Sequence, residues 1–335
     1  MSDEIQEQQI DADQQEEGTR LALGIDVGGT NIQAGVITER GQVLGRSKMR
    51  TQANEGFEAV MDQIAAAARQ ACQEAQVPMS SIFTAGLGVP GPIDPEKGIV
   101  IEAVNLRWND APVVMALSDR LGVPVYADND VNVAVYGEWR AGIGNETPNM
   151  LGVWVGTGVG GGLIIDSKLH RGAHHSAGEI GHMILVPGGQ FGSRSVEHNC
   201  SRTAIAHQLV KLIRSNHHSI LSSLTDGKLN KIKSKVIAQA YEQGDDLVRT
   251  VVDDSADRLG MAIASAVTLL SLDRVVLGGG LVKAIGKPYV DIVRDSVRRE
   301  VFPESIRKIS VEASVLEDDA GLVGAGLIAF EQLWK

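Results

Sequence analysis

Apolar positions recur along this chain with two spacings, one typical of strands and one typical of helices. The segments Leu21–Ile37 and Met150–Ile165 each run an apolar strand into a turn of Gly and Thr, and then into a second apolar strand. Such a turn brings backbone N–H groups and a Thr hydroxyl up to a phosphate, because Gly has no Cβ to block the approach. Two copies of this strand–turn–strand segment predict a duplicated architecture that holds one polyphosphate.

Between the two hairpins, strand and helix patterns alternate, which is the plan of an α/β sheet. Val43–Thr51 is a predicted strand, Ser81–Asp94 a strand that runs into a Gly/Pro loop, and Val123–Asp130 a strand that ends in a polar cluster. The predicted helices are Glu55–Ala75, Val113–Gly122 and Val131–Gly142. The second half predicts helices at Thr203–Ser215, Ser234–Gln243, Asp246–Leu270 and Gly321–Trp334, a strand that runs into a triple-Gly turn at Leu272–Val282, and a mobile loop or short helix at Ser219–Lys235.

Length and composition predict two domains of a globular protein. The chain has 335 residues, of which 43% are hydrophobic and 22% are charged. We predict a small N-terminal α/β domain at 21–128, completed by a C-terminal helix at 320–335, and a larger α/β domain at 129–319. Residues 1–20 are acidic, Gln-rich and nearly free of large apolar side chains, which is typical of a disordered head.

Charge and cysteine content narrow the function classes. The net charge of −11 argues against a nucleic-acid partner, and an anionic substrate must then be met by local donors. Two cysteines, Cys72 and Cys200, do not make a disulfide framework, and they indicate a reducing compartment. The sequence shows no secretory signal and no apolar run long enough for a membrane helix, so we expect a cytoplasmic protein without a membrane partner.

The first Gly turn offers a candidate metal and phosphate site. Asp26 ends an apolar strand just before Gly28, Gly29 and Thr30. An Asp in this place can bind Mg²⁺, directly or through water, while Thr30 and the loop N–H groups meet phosphate. The alternative is an ordinary hairpin in which Asp26 caps the turn.

The second turn is unusually rich in Gly. Gly156, Thr157 and Gly158 lead into Gly160–Gly162, although Gly weakens strands. Either a ligand needs this backbone bare, or a strand or helix packs closely against it. Gly278–Gly280 forms a third strand-to-Gly turn, which either supports a flat adenine ring or caps the strand.

A polar cluster after a strand offers a candidate base. Asp128, Asn129 and Asp130 end a predicted strand and open a helix, where α/β sheets place active sites. A carboxylate there can accept the proton of an attacking hydroxyl, and the alternative is a helix cap. Further along, Ala177–His182 and Glu197 carry polar groups that, taken alone, are equally typical of solvated loops.

Together these residues resemble the ROK family of sugar kinases, named for repressors, open reading frames and kinases. The resemblance runs from about Leu21 to the C-terminus and rests on six motifs in family order. They are D-x-G-G-T at Asp26–Thr30, G-x-P-G-P-x-D at Gly88–Asp94, N-D-x-N at Asn129–Asn132, G-T-G-x-G-G-G at Gly156–Gly162, A-G-E-x-G-H at Ala177–His182 and G-G-G at Gly278–Gly280.

The resemblance implies a duplicated ribonuclease H-like, actin-type ATPase fold, with sugar and ATP in a cleft between two domains, and a homodimer. It implies ATP-dependent phosphorylation of a hexose, first of all glucose, at the 6-hydroxyl. Asp130 is then the general base, and the sugar is held by Asn105, Asn129, Asp130, Glu179, His182 and Glu197. The phosphates and Mg²⁺ are met by Asp26, Gly28, Gly29, Thr30, Thr157 and Gly158, and the adenosine is flanked by Gly279 and Gly280.

One departure from the family concerns zinc. Most members carry a C-x-C-G-x-x-G-C-x-E zinc motif, and its three Cys positions are here Gly188, Gln190 and Ser195. We therefore expect no structural zinc of the usual kind, because none of these side chains supplies a thiolate. A substitute site from His182, His198 and Cys200 stays open as an alternative, and Arg202 replaces a common Gly.

Two other functions stay open. A sugar-sensing repressor is one, although the segment before the first strand has only about 20 residues and is acidic, so it is too short and of the wrong charge for DNA. The other is a kinase with a different acceptor (N-acetylmannosamine, N-acetylglucosamine, fructose, mannose or allose) or with polyphosphate as donor. Polyphosphate favours a basic track, and no dense run of Lys and Arg lies near the Gly turns.

Overall fold

The computed structural model describes residues 20–145 and 147–332 of the chain. The predicted acidic head, apart from Arg20, and the last residues of the predicted final helix lie outside the described residues. Contacts divide the chain into two compact units. One extends through Asp128 and resumes at Ala325, and the other comprises Asn129–Gly324.

The first unit contains two sheets. Its strands are β1 Leu21–Val27, β2 Asn31–Thr38, β3 Val43–Arg50, β4 Ile82–Val89, β5 Ile93–Asp94, β6 Ile99–Ala103, β7 Trp108–Ala111 and β8 Val125–Asn129. The main sheet has the order β3–β2–β1–β4–β8. In it β1 and β2 form the predicted antiparallel hairpin, with Leu21 opposite Thr38 and Val27 opposite Ile32. On its other side β1 pairs with β4 in parallel.

Two helices cover this sheet, α1 Phe57–Glu74 and α2 Val113–Leu121. The buried positions of α1 recur at helical spacing, since Val60, Ile64, Ala68 and Cys72 follow one another at intervals of four. They join the alternate apolar side chains of β1 and β2 in one hydrophobic core. Both helices agree with the predicted segments to within a few residues.

The segment after β4 contains a sheet that the sequence did not predict. Within Ser81–Asp94 the strand ends at Val89 and runs into the Gly/Pro loop, as predicted, because Pro90 and Pro92 lack the N–H groups that a sheet ladder needs. A separate three-stranded antiparallel sheet, β5–β6–β7, follows. Its strands have two, five and four residues, which is too short for an alternation of apolar and polar positions to give a signal.

The second unit repeats the first sheet. Its strands are β9 Met150–Val155, β10 Val159–Ile165, β11 Lys168–His170, β12 Arg274–Gly278 and β13 Ser310–Ala313. They lie in the order β11–β10–β9–β12–β13, with β9, β10 and β11 antiparallel and β12 parallel to β9. This is the strand order of the first sheet, so the predicted duplication is confirmed.

The remaining helices are α3 Asp130–Ala141, α4 Val196–Cys200, α5 Arg202–Arg214, α6 Leu221–Leu224, α7 Ser234–Glu242, α8 Asp246–Leu270, α9 Gly280–Ile285, α10 Lys287–Glu300 and α11 Ala320–Gln332. The polar segment at 219–235 thus contains the short helix α6, one of its two predicted forms. The sequence reading missed α10, because its many charged residues obscure the helical spacing of its buried side chains Tyr289, Val293 and Val297. Among the described residues, no helix combines the length and apolarity that crossing a membrane requires.

A buried carboxylate fixes α3, the helix that begins at Asp130. Glu138 has no exposed surface, and its side chain accepts hydrogen bonds from Ser314 Oγ at 2.5 Å and from the backbone N–H groups of Leu316 at 2.8 Å and Ile143 at 3.1 Å. A buried charge is stable only when it is satisfied in this way. These hydrogen bonds therefore fix α3 at a point two turns after Asp130.

Candidate active site

The first predicted phosphate turn joins β1 to β2. Asp26 is half-buried near the end of β1, whereas Gly29 and Thr30 are exposed. The turn is closed by a hydrogen bond from Gly28 N–H to Asn31 O at 2.8 Å. Thr51 holds it from the side, since its hydroxyl donates to Gly28 O at 2.8 Å. The turn therefore presents bare backbone and one Thr hydroxyl beside a carboxylate.

Asn105 lies against this same turn. It is exposed in the β6–β7 connection, and a Cβ added to Gly29 would lie 3.2 Å from Asn105 Cβ. The sequence predicted one of these residues to hold sugar and the other to meet phosphate. Within the first unit, the structure brings the two together.

In the second unit, Asn129 caps α3 and so places Asp130 at the first helical position. The Asn129 side-chain oxygen accepts the backbone N–H groups of Val131 at 2.9 Å and Asn132 at 3.1 Å. Capping by Asn satisfies N–H groups that have no partner inside the helix. The cap anticipated from the sequence is thus present at Asn129, and the Asp130 carboxylate begins the helix.

Its surroundings make Asp130 an unusually weak acid. Burial raises the pKa of Asp130 to about 6, and the negative charge of Glu179 adds to the rise. Hydrogen bonds from the Val131 N–H, at 2.9 Å, and from the Asn129 side chain act in the opposite direction. A carboxylate tuned in this way is ionised at neutral pH, yet it is a better proton acceptor than an exposed Asp.

Glu179 and His182 lie on a short loop that packs on β10. Gly178 turns the chain with φ +92°, and Ile180–His182 form one turn of 3₁₀ helix. Gly181 sits so close to β10 that an added Cβ would lie 1.9 Å from Val159 O. Burial raises the pKa of Glu179, the positive charge of His182 lowers it, and the charge of Glu197 raises it. The predicted acids and His therefore form one electrostatic cluster.

Glu197 belongs to α4 and reaches the second Gly turn. Its Oε2 atom accepts the backbone N–H of Val159 at 3.0 Å, and a Cβ added to Gly158 would lie 2.2 Å from that atom. Gly158 is therefore bare because a carboxylate occupies the space beside it. This contact joins a residue predicted to hold sugar to a residue predicted to meet phosphate.

The Gly residues further along β10 serve packing. Added Cβ atoms at Gly160, Gly161 and Gly162 would come within about 3 Å of Val131, of Gly178 O and of Val135. The alternative of close packing is thus correct for these three positions. It does not apply to Gly156, where an added Cβ meets no atom within 4 Å among the described residues. The packing interpretation therefore applies to Gly160–Gly162, and the ligand interpretation stays open for Gly156.

The third turn lies beside the second. Gly279 packs on the backbone of Val155, the last residue of β9, and Gly280 begins α9. A cavity of about 370 Å³ borders Gly278 and Gly279 and is lined by Lys283, among others. Lys283 forms ion pairs of 2.8 Å with Glu317 and with Asp318.

The segment that stands in place of the family's zinc motif is stabilised by hydrogen bonds. Ser195 caps α4, and its hydroxyl lies 2.8 Å from His198 Nδ1. Cys200 is fully buried, and burial raises the pKa of its thiol to about 12. No group of three His, Cys, Asp or Glu side chains suited to a metal occurs among residues 20–145 and 147–332. The absence of structural zinc stays a prediction.

Sequence reasoning noted Arg202 only as a departure from the family and assigned it no role. In the structure Arg202 begins α5 beside the second turn, and its Nη2 atom donates to Thr157 Oγ1 at 3.0 Å. Arg202 lies close to the turn because α4 places Glu197 beside Gly158 and α5 starts directly after α4. The short sequence distance from Glu197 to Arg202 was therefore the one feature that could have indicated this contact.

Comparison with known proteins extends the resemblance to nearly the whole chain. The sequence profile of the ROK family matches residues 22–332. A glucokinase from Halalkalibacterium halodurans is 30% identical over 318 residues, which are 93% of this chain and 96% of that protein. A xylose repressor from Caldicellulosiruptor bescii is 26% identical over 308 residues, covering 90% of this chain and 76% of that protein.

Among solved structures, a ROK family glucokinase from Streptomyces griseus in complex with glucose and AMPPNP is similar to this chain. The TM-score is 0.82 and the identity 33%, over 93% of this chain and 99% of that one. The similarity and the repeated strand order confirm the predicted duplicated ribonuclease H-like, actin-type fold. From the profile match and these similarities, we conclude that the chain belongs to the ROK family.

Proposed function

We propose that this protein transfers the γ-phosphoryl group of ATP to the 6-hydroxyl of a hexose, with glucose as the first acceptor to test. The observation that carries the proposal is the Asp130 carboxylate. It stands at the capped start of α3, its pKa is raised to about 6, and it interacts with Glu179. The similarity to glucokinases from two organisms supports the choice of acceptor.

In the proposed reaction the 6-hydroxyl oxygen attacks the γ-phosphorus of ATP and ADP leaves. Asp130 accepts the hydroxyl proton as the new O–P bond forms. Phosphoryl transfer has a loose transition state that needs positioning more than strong bases. A carboxylate with a pKa near 6 suits this task, because it is ionised at pH 7 and binds the proton more firmly than an ordinary Asp does.

The acids and His around Asp130 are proposed to hold the sugar. Glu179, His182 and Glu197 supply acceptors and donors for neighbouring hydroxyls, and Asn105 and Asn129 supply side-chain amides. The Asn129 oxygen accepts the N–H groups that open α3, and the Asn129 side chain also hydrogen-bonds the Asp130 carboxylate, so it is positioned beside the proposed base. A sugar ring is recognised through such directed bonds, because each hydroxyl both donates and accepts.

The two Gly turns are proposed to hold the phosphates. In the first, Asp26 is a partly buried carboxylate beside bare backbone, a donor set that fits Mg²⁺ directly or through water. When bound, Mg²⁺ neutralises charge on the phosphate oxygens. In the second, Thr157 and Gly158 are proposed to face the phosphates, with the Thr157 hydroxyl as one donor, and Gly279 and Gly280 are proposed to lie beside the adenosine.

The proposal is tested by measuring ADP release with a panel of hexoses, for the wild type and for Asp130→Asn. The panel contains glucose, mannose, fructose, allose, N-acetylglucosamine and N-acetylmannosamine. We expect glucose to give the highest kcat/KM, and we expect Asp130→Asn to lower kcat by about two to four orders of magnitude. Unchanged turnover in the variant would refute the role of Asp130, and a higher kcat/KM with another sugar would replace glucose.

A further inference from the structure

Three hydrogen bonds fasten the second Gly turn to the start of α5. Arg202 N–H donates to Gly156 O at 3.0 Å, and Arg202 Nη2 donates to Thr157 Oγ1 at 3.0 Å. The next side chain, Thr203, donates from its hydroxyl to Thr157 O at 2.7 Å. The turn is thus held at two carbonyls and one hydroxyl, and a guanidinium lies beside it.

The Arg202 side chain also lines a cavity of about 320 Å³. One part of its wall is cationic, with Arg202 and Arg214, and another is apolar, with Val210, Leu229 and Ile232. Apolar walls bind a flat ring, and a guanidinium binds phosphate oxygens in a fork geometry. A cavity with both features suits a nucleotide that carries several phosphates.

Another cavity of this unit, the one beside Gly279, differs in its charges. In the 370 Å³ cavity beside Gly279, Lys283 is paired with two acids, and Arg294 contacts Asp291 at 2.5 Å. Within the described part of the chain, Arg202 forms no ion pair with an acid. Its charge is therefore available to an anion, whereas the cations of the larger cavity are already neutralised.

A cation is needed at the second turn. The chain carries a net charge of −11, and the Glu197 carboxylate lies directly beside Gly158. Thr157 and Gly158 have no charge with which to offset that carboxylate when a polyphosphate approaches. The Arg202 guanidinium is the charge that meets the need.

We propose that Arg202 binds the phosphates of the donor nucleotide and orients the Thr157 hydroxyl toward them. Because Thr157 Oγ1 accepts a hydrogen bond from Arg202, its own proton is left to donate to a phosphate oxygen. The inference rests on the proposed kinase function for its donor, but it concerns nucleotide binding and is measured without a sugar.

The test is calorimetric titration of magnesium ADP into the wild type, Arg202→Met and Arg202→Lys. A lost charge-assisted hydrogen bond is expected to weaken ADP binding at least tenfold in Arg202→Met. Arg202→Lys keeps the charge and is expected to recover most of that loss. The slope of log affinity against log KCl concentration becomes shallower in Arg202→Met, which a purely structural role does not produce.

Arg299→Met is the matched control, because Arg299 is also hydrogen-bonded in this unit but pairs with Asp257 and Glu300 on α8 and α10. We expect its ADP affinity to equal that of the wild type. The inference is overturned if Arg202→Met binds ADP within twofold of the wild type, or keeps the wild-type salt slope. A wild type that binds ADP but phosphorylates no hexose refutes the proposed function and leaves the inference standing.

Discussion

The Glu197 carboxylate accepts a 3.0 Å hydrogen bond from the backbone N–H of Val159, the first residue of β10. The bond spans 38 positions of sequence and ties α4 to the Gly156–Gly158 turn. A group proposed to hold sugar is thereby fixed to the turn proposed to hold phosphate. A substitution in the Gly156–Gly158 turn is therefore expected to affect the position of Glu197, and a substitution of Glu197 is expected to affect the turn.

Gly158→Ala tests that coupling. The added methyl would lie 2.2 Å from Glu197 Oε2, and since that atom ends a flexible side chain, the carboxylate moves while the backbone stays. We expect the KM for the sugar to rise at least tenfold, because a directed hydrogen bond to the sugar is lost. Melting temperature is expected to change by no more than a few degrees. Steady-state kinetics at saturating ATP measures the first effect and calorimetry the second.

The control is Gly156→Ala, where an added Cβ meets no atom within 4 Å among the described residues. Its KM for the sugar is expected to stay within about twofold of the wild type. Equal sugar KM values for Gly158→Ala and the wild type would contradict the coupling.

The pH dependence of kcat/KM follows from Asp130. Its pKa is raised to about 6, so the proton acceptor is ionised above that pH and protonated below it. We expect kcat/KM to be level near pH 7.5, to reach half of that level near pH 6, and to fall about tenfold for each further unit of pH. The profile is measured at constant ionic strength with magnesium ATP saturating. A profile that stays level down to pH 4.5 would contradict the assignment.

Asp130→Asn is expected to stabilise the unliganded protein while it removes activity. The folded carboxyl has a pKa of about 6 against an ordinary value of 3.8, so its ionised form is disfavoured in the folded state. Wild-type stability therefore falls as pH rises from about 4 to about 6, and the loss is complete above that window. At pH 7 the neutral amide is expected to raise the free energy of unfolding by about 3 kcal/mol.

Denaturant unfolding of both proteins at pH 7.5 and pH 4 checks the stability effect. The gain is expected at pH 7.5 and is expected to shrink to less than about 1 kcal/mol at pH 4, where the wild-type carboxyl is protonated in the folded state and half protonated in the unfolded chain. A variant that is less stable than the wild type at pH 7.5 would show that the Asp130 carboxylate is not strained by its surroundings.

The sequence predicted most of the elements that carry the site, because the signals for these elements come from neighbouring residues. The β1–β2 and β9–β10 hairpins combine apolar strands with Gly at the turn, and α3 begins at an Asn that caps it. These signals lie within a few residues of one another. Motif order then indicated the family, which periodicity alone does not provide.

The parts that the sequence reading missed depend on distant contacts. The strands of the β5–β6–β7 sheet are too short to show a period in the sequence, and their pairing partners become evident only after folding. The densely placed Gly residues of β10 looked like a ligand feature, yet three of them make room for α3 and for the Gly178 loop. The contact between Arg202 and Thr157 spans 45 positions, so it was not predicted from the sequence.

The central claim is that this protein transfers phosphate from ATP to the 6-hydroxyl of glucose with Asp130 as the base. The most direct measurement is carbon-13 NMR of the product formed from magnesium ATP and glucose labelled at C6, with wild type and with Asp130→Asn. We predict phosphorus coupling at the labelled carbon, appearing at least about a hundredfold more slowly with the variant. Phosphate at another carbon, or equal rates for the two proteins, would contradict the account.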